Sequence, residues 1–269
     1  DEAVKNYQAA IDVDPKSSAP YFNIGLIRLD QHRFAEARTA FDKAAGLDPD
    51  NATNVYQRGV ALGDLGVFDS ALADVKRAIA MKSDVPDYYD ELGLLELANG
   101  HVDAAAAAID KAAGMSPADY WSGTAFVAYY LAGERDKAIA MIDRGERDQP
   151  TYPYWPIWRG RGRMAAGDTA GARQILADGL RKVGTDWPAP LMRYMTGEYS
   201  ESKLRTLANA GDQRTRAEQL CELEFYRGEL AYLAGDKATA QAAMRAATGT
   251  RIFYYLEDAA ARARLAQLN

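Results

Sequence analysis

Helix-ending residues recur along this chain at an almost constant step. Pro15 and Pro49 stand 34 residues apart, Ser83 and Pro117 continue at the same step, Pro150 follows at 33 and Gly184 again at 34. Each marker closes a segment whose apolar residues return at helical period, so the chain predicts a row of equal units built from paired helices. Proline suits the end of such a unit because it lacks a backbone N–H and its ring clashes with the preceding turn. One hairpin of this length cannot bury its own apolar face, so the units must stack into a continuous core. The supply of apolar side chains is adequate, at 48% of 269 residues. Alanine is abundant and the β-branched residues are sparse, which favours helix over strand.

The same residue types return inside each unit. Residues 18–51 carry Tyr21, Ile24, Gly25, Ala37, Phe41 and Ala44 ahead of Pro49. Residues 52–85 carry Val55, Gly59, Leu62, Ala71, Val75 and Ala78; residues 86–119 carry Tyr89, Leu92, Gly93, Ala105, Ile109 and Ala112. Residues 120–152 offer Phe126, Tyr130, Ala138, Ile142 and Gly145, and residues 153–186 offer Gly160, Ala172, Leu176 and Gly179. The small residue in each first helix and the alanine opening each second helix let the pair approach closely, and the large residues fill the space beside them. Residues 1–17, with Ala3, Tyr7, Ala10 and Pro15, match only the second half of a unit, so the natural chain is expected to begin upstream. The pattern lapses over 187–216, where Trp187-Pro188-Ala189-Pro190 predicts an irregular insert with short helices near 191–195 and 201–207. It resumes at Cys221, with Gly228, Ala240, Met244 and Ala247, as a final hairpin within 217–269 followed by a capping helix near 254–268.

The period and the Gly25/Ala37/Phe41/Pro49 set with its equivalents resemble the tetratricopeptide-repeat (TPR) family over nearly the whole chain. That resemblance implies an all-α fold, a right-handed superhelical solenoid of antiparallel helix pairs with a capping C-terminal helix. A narrower resemblance lies in the last third, in Trp187-Pro188-Ala189-Pro190-Leu191, Tyr194, Gly197-Glu198, Leu220-Cys221-Glu222, Phe225-Tyr226 and Tyr232 to Lys237. These residues are similar to the new lipoprotein I type of bacterial envelope-anchored TPR adaptor. Members of that group dimerise and present client proteins, among them a tail-specific protease and peptidoglycan hydrolases. The lipid-bearing N-terminal cysteine of the group has no counterpart in this sequence.

In a TPR stack the first helix of each repeat lines a concave groove. The corresponding residues are Phe22, Leu26, Leu29, Tyr56, Val60, Asp90, Leu94, Trp121, Thr124, Tyr154, Ile157 and Arg161, a largely apolar and aromatic set suited to a peptide or protein partner. A carboxylate clamp of the chaperone-tail kind is not expected, because the clamp positions hold Phe22, Leu26, Gln57, Asp87 and Glu91, with no cation among them. The stretch Thr151 to Arg159 is rich in aromatic rings. It reads either as a second partner or dimer contact, through Trp155, Trp158, Arg159 and Arg163, or as rings filling a gap at a helix start reshaped by Pro153 and Pro156.

No motif carries chemistry. His32 and His101 both fall in turns and lie too far apart in the stack for a shared metal site, and Gly160-Arg161-Gly162-Arg163 lies within a helix rather than after a strand. The chain therefore reads as a non-catalytic scaffold with no cofactor. The single cysteine, Cys221, excludes an internal disulfide and suits a buried apolar position. Charge divides unevenly, with 11 basic against 21 acidic residues in 1–134 and 21 against 17 in 135–269. The overall net charge of -6 disfavours nucleic acid, and no apolar run is long enough to cross a membrane. The expected work is assembly: recruitment of an envelope protease or cell-wall hydrolase from a periplasmic or envelope-anchored position, with a homodimer as a further expectation. The alternative is a cytoplasmic TPR module of a larger regulatory or secretion assembly.

Overall fold

The computed structural model describes residues 2–115 and 122–269, and within them the chain forms sixteen α-helices and no strand. Helix α1 (Glu2–Val13) leans on α2. Five antiparallel pairs follow: α2 (Ser18–Asp30) with α3 (Phe34–Leu47), α4 (Ala52–Asp64) with α5 (Phe68–Met81), α6 (Pro86–Ala98) with α7 (Val102–Met115), α8 (Gly123–Ala132) with α9 (Arg135–Asp148), and α10 (Trp155–Ala165) with α11 (Thr169–Val183). Two short helices, α12 (Ala189–Met195) and α13 (Glu201–Ala208), lead to α14 (Gln213–Leu233), which pairs with α15 (Lys237–Gly249); α16 (Leu256–Leu268) ends the chain. Pro117 and Trp121, which the sequence singles out, lie outside the described residues.

Local chemistry explains where the helices start and how each pair closes. Asn51, Asp168, Ser200, Asp212 and Asp236 accept hydrogen bonds from backbone N–H groups of the first turn they precede, which satisfies donors that have no intrahelical acceptor. Between the two helices of a pair the chain reverses through one left-handed residue: Gly66, Gly100, Gly133 and Gly167, with φ between 74° and 81°. In the first pair His32 takes this place at φ 55°. These five positions follow the same 34- or 33-residue step as the helix-ending markers.

Packing within a pair repeats one device. A Cβ added at Gly25 would lie 2.5 Å from the Phe41 ring, and one at Gly93 would lie 2.9 Å from Ile109. The same close approach links Gly59 to Val75, Gly160 to Leu176 and Gly228 to Met244. Ala37, Ala71, Ala105, Ala138, Ala172 and Ala240 are all buried where the second helix crosses the first. The main core runs from α6 to α16, and two smaller clusters sit under α2–α4 and α4–α6.

The last helix leaves the row. α16 lies against α6 and α8, on the first-helix side of the stack, as well as against α14 and α15. Leu256 reaches the start of α8 at Gly123, Ala266 meets Gly100, and the Gln267 amide donates to the Leu131 carbonyl at 3.0 Å. The loop before α16 reaches farther back: the Phe253 ring lies over Gly66 and edge-on to Phe68, and Tyr254 packs on His32 and Phe34 at centroid distances of 5.0 Å.

Candidate functional site

The curve of the solenoid divides into an open and a covered section. In the open section, Leu26 is 37% exposed, while Phe22 and Leu29 are partly exposed with their inner faces on the cluster around Phe41. Tyr56 stacks on Tyr88 at 4.5 Å and Val60 is half-buried. These apolar groups rise beside a set of carboxylates. Burial pushes Asp64 up to about 7; burial, reinforced by the charges of Asp64 and Asp90, pushes Glu91 up to about 8. Burial and the neighbouring charges of Glu91, Asp87 and Asp90 likewise drive the Tyr56 hydroxyl upward. Among the described residues, the main influences on Asp64, Glu91 and Tyr56 are burial and neighbouring acidic or phenolic groups, not cations. Asp90 accepts a hydrogen bond from the Ser122 hydroxyl at 2.6 Å.

In the covered section the expectation of an exposed groove is corrected. Helices α14 and α16 occupy the face of α8 and α10, so Thr124, Ile157 and Arg161 are buried and Leu94 and Tyr154 are packed against the main core. Arg161 and Arg264 share one carboxylate, Glu229: Arg161 Nη2 stands 2.7 Å from Glu229 Oε2, and Arg264 Nε stands 2.7 Å from Glu229 Oε1. All three side chains are no more than 5% exposed. Burial works to raise Glu229, but the two guanidinium groups overcome it and hold the carboxyl below its ordinary value. The Arg161 guanidinium also lies 3.9 Å above the Tyr130 ring.

A second buried carboxylate fixes the same interface. The Tyr154 hydroxyl and the Trp187 indole N–H donate to Glu222 at 2.8 and 3.0 Å, and the Tyr226 hydroxyl donates to Glu257 at 3.3 Å. Burial pushes both glutamates up, and for Glu222 the nearby Glu257 adds to the effect. A carboxyl in that position is favoured in its protonated form.

The aromatic stretch is interior. Trp155 and Trp158 are 3% and 5% exposed, Trp158 stacks on Phe126 at 5.1 Å, and the Trp155 indole donates to the Gln149 carbonyl at 2.7 Å. This corrects the reading of these rings as a second contact surface, since a side chain buried in its own protomer offers no area to a partner. Arg159 is bonded to Glu146 and Asp143, and Arg163 stands 3.2 Å from Asp168. His101 Nδ1 lies 2.8 Å from Glu96 Oε2 in its turn, Cys221 is buried and free, and no group of three or more metal-ligating side chains occurs among the described residues. Sequence reasoning named Glu222 only as part of a family resemblance, with no role, and did not pick out Glu229 or Arg264. The signal available was the seven-residue spacing of Glu222 and Glu229, which puts two carboxylates on one face of a helix whose neighbours are apolar.

Comparison with known proteins agrees with this architecture. A family model for the tetratricopeptide repeat matches residues 1–52 and 56–120. The repeat match ends at residue 120, and over the rest of the chain the agreement is one of fold. Solved structures, two of them described as TPR proteins, resemble the chain beyond the matched residues. One is a tetratricopeptide-repeat protein from Parabacteroides merdae, 16% identical, covering 98% of this chain and 91% of its own, with a TM-score of 0.58. YrrB, described as a TPR protein with an unusual peptide-binding site, is 16% identical over 72% of this chain and 98% of its own, with a TM-score of 0.54. MamA is 19% identical over 68% of this chain and 95% of its own, with a TM-score of 0.51. At these identities the likeness is one of fold: a TPR solenoid, here with its own C-terminal helix laid inside the curve.

Proposed function

We propose that this TPR protein is a non-catalytic interaction scaffold that holds a peptide segment of a partner protein on the open section of its concave face. The observation that carries the reading is the contrast within one face. The chain covers the first helices of its later repeats with α14 and α16, yet leaves Phe22, Leu26, Leu29, Tyr56 and Val60 partly exposed beside Asp90. Apolar anchors at helical spacing beside fixed polar groups are what a groove needs to seat a short segment and fix its register. The peptide-binding site ascribed to YrrB supports the reading by likeness of fold. Trp121, proposed for the same face, lies outside the described residues.

The finer reading is an envelope adaptor, periplasmic or anchored at the membrane, that recruits a protease or cell-wall hydrolase and pairs with a second copy of itself. Its support is the resemblance of the last third to the new lipoprotein I type. Affinity capture from a lysate of the source organism tests both levels. The partner should be lost with Leu26→Arg and Tyr56→Ala, which change an exposed and a partly exposed groove side chain, and kept with a substitution at exposed Val13. Capture that survives both groove changes would remove this surface from the reading. Enrichment of cytoplasmic proteins alone would remove the envelope assignment and leave the scaffold.

A further inference from the structure

A cavity of about 780 Å³ opens between the α8–α9 and α10–α11 pairs and is bordered also by residues of α14 and α16. Its walls are apolar: Phe126, Ile142 and Ile175 line it, and Ile139 stands at its mouth 49% exposed. The hollow has a sequence cause. Gly162 on α10 and Gly133 at the turn before α9 both border it, and a Cβ built at either meets no atom within 4 Å. Its size falls in the range of small-molecule sites, roughly 300–1,000 Å³.

Among the described residues four arginines border the cavity, Arg135, Arg159, Arg163 and Arg264, and no aspartate or glutamate does; Arg159 and Arg163 are paired with carboxylates outside it, so the uncompensated charge rests with Arg135 and Arg264. Arg264 on the floor is 4% exposed and divides a single carboxylate with Arg161, which leaves one positive charge uncompensated within that buried triad. Arg135 at the rim donates to the Ala165 carbonyl and has no carboxylate partner among the described residues. An apolar hollow under a cationic rim is complementary to a molecule with an apolar body and a negative end.

We propose that this cavity binds an aliphatic acyl chain that carries an anionic end group, a site separate from the peptide groove and independent of it. The acyl chain packs along Ile139, Ile175 and Leu233, over a floor closed by Phe126 and Ile142, and the anionic group meets the guanidinium of Arg135. The same chemistry comes from a free fatty acid or from the acyl chain of an acidic lipid.

Calorimetric titration of the full chain with decanoate, decanol and decyltrimethylammonium tests the site. Decanoate is expected to bind best and the cationic probe at least roughly fivefold more weakly. Gly162→Leu fills the hollow and should weaken decanoate roughly tenfold, the effect of displacing about two methylenes. Its helix should melt no lower, because leucine is the better helix former. Arg135→Gln should weaken decanoate about threefold and leave decanol unchanged. Flotation with phosphatidylglycerol vesicles separates the sources: flotation abolished by Gly162→Leu marks a lipid-borne chain, and decanoate binding without flotation marks a free acid. The proposal is overturned if neither decanoate nor vesicles bind, if Gly162→Leu binds as the parent does, or if the cationic probe binds as tightly as decanoate.

Discussion

The Glu229 carboxylate is the most exacting test of how the concave face is closed. Among the described residues it is the only anion bonded to Arg161 and Arg264, and all three side chains are removed from water. Glu229→Gln keeps the volume and removes the charge, leaving two guanidinium groups facing each other across a neutral amide. Removing one partner of a buried ion pair costs about 3–5 kcal/mol, mostly through the charges left behind. For a chain of this size each kcal/mol moves the melting temperature about 2–4 °C, so the variant should melt roughly 10 °C below the parent. Far-UV circular dichroism with temperature, together with urea titration, measures it. The triple variant Arg161→Met, Glu229→Leu, Arg264→Met supplies the contrast, because well-packed apolar replacements for a buried triad are close to neutral. It should recover most of the loss. A fall below about 1 kcal/mol for Glu229→Gln, or a triple variant no better than the single one, would refute the argument that charge burial governs this contact.

Three further outcomes are expected. Asp64 and Glu91 have folded values raised to about 7 and about 8, so between their ordinary values and these the folded chain holds protons that the unfolded chain has released; stability therefore falls as pH rises through that window, and Asp64→Asn with Glu91→Gln should flatten the melting-temperature profile from pH 5 to 8. Trp158→Ala should destabilise by about 3–5 kcal/mol in urea titration, as emptying a buried indole site does, whereas lost partner capture with unchanged stability would restore these rings as a contact surface. Gly66→Ala forces a side chain onto a φ of 74° and toward the Phe253 ring at 2.6 Å; a loss of about 1–3 kcal/mol is expected, with faster amide exchange over residues 250–255.

The repeat was legible because its determinants are local and periodic. Gly25 needs Phe41, and Gly93 needs Ile109, at the same sixteen-residue separation inside each unit, so a spacing in the sequence is also a contact in space. The occupant of the curve was not legible for the opposite reason. Arg161 bonds to a residue 68 positions away, and Leu131 to one 136 positions away, and no local pattern records such a partner. Arg161 read as a groove residue because a charged side chain on a first helix ordinarily meets water; here a returning helix carries its counter-ion. Trp155 and Trp158 were ambiguous because interiors and interfaces draw on the same aromatic side chains. Helix α14 begins at Gln213, inside the stretch expected to be irregular, because Glu218, Glu222 and Glu224 interrupt the apolar period that would have announced it.

The contacts of Tyr254 with His32 and of Gln267 with Leu131 change how such a chain can come into being. A plain row of repeats gains stability one neighbour at a time, and its early units can settle while later ones are still being synthesised. Here the residues that join the first repeat to the fourth are synthesised only after the repeats they join. The early repeats leave the ribosome with their inner face bare, and the finished inner wall arrives only with the final turn of helix. During that interval the first helices of the later repeats are a surface that another chain, or a chaperone, can reach, and afterwards only the open section is.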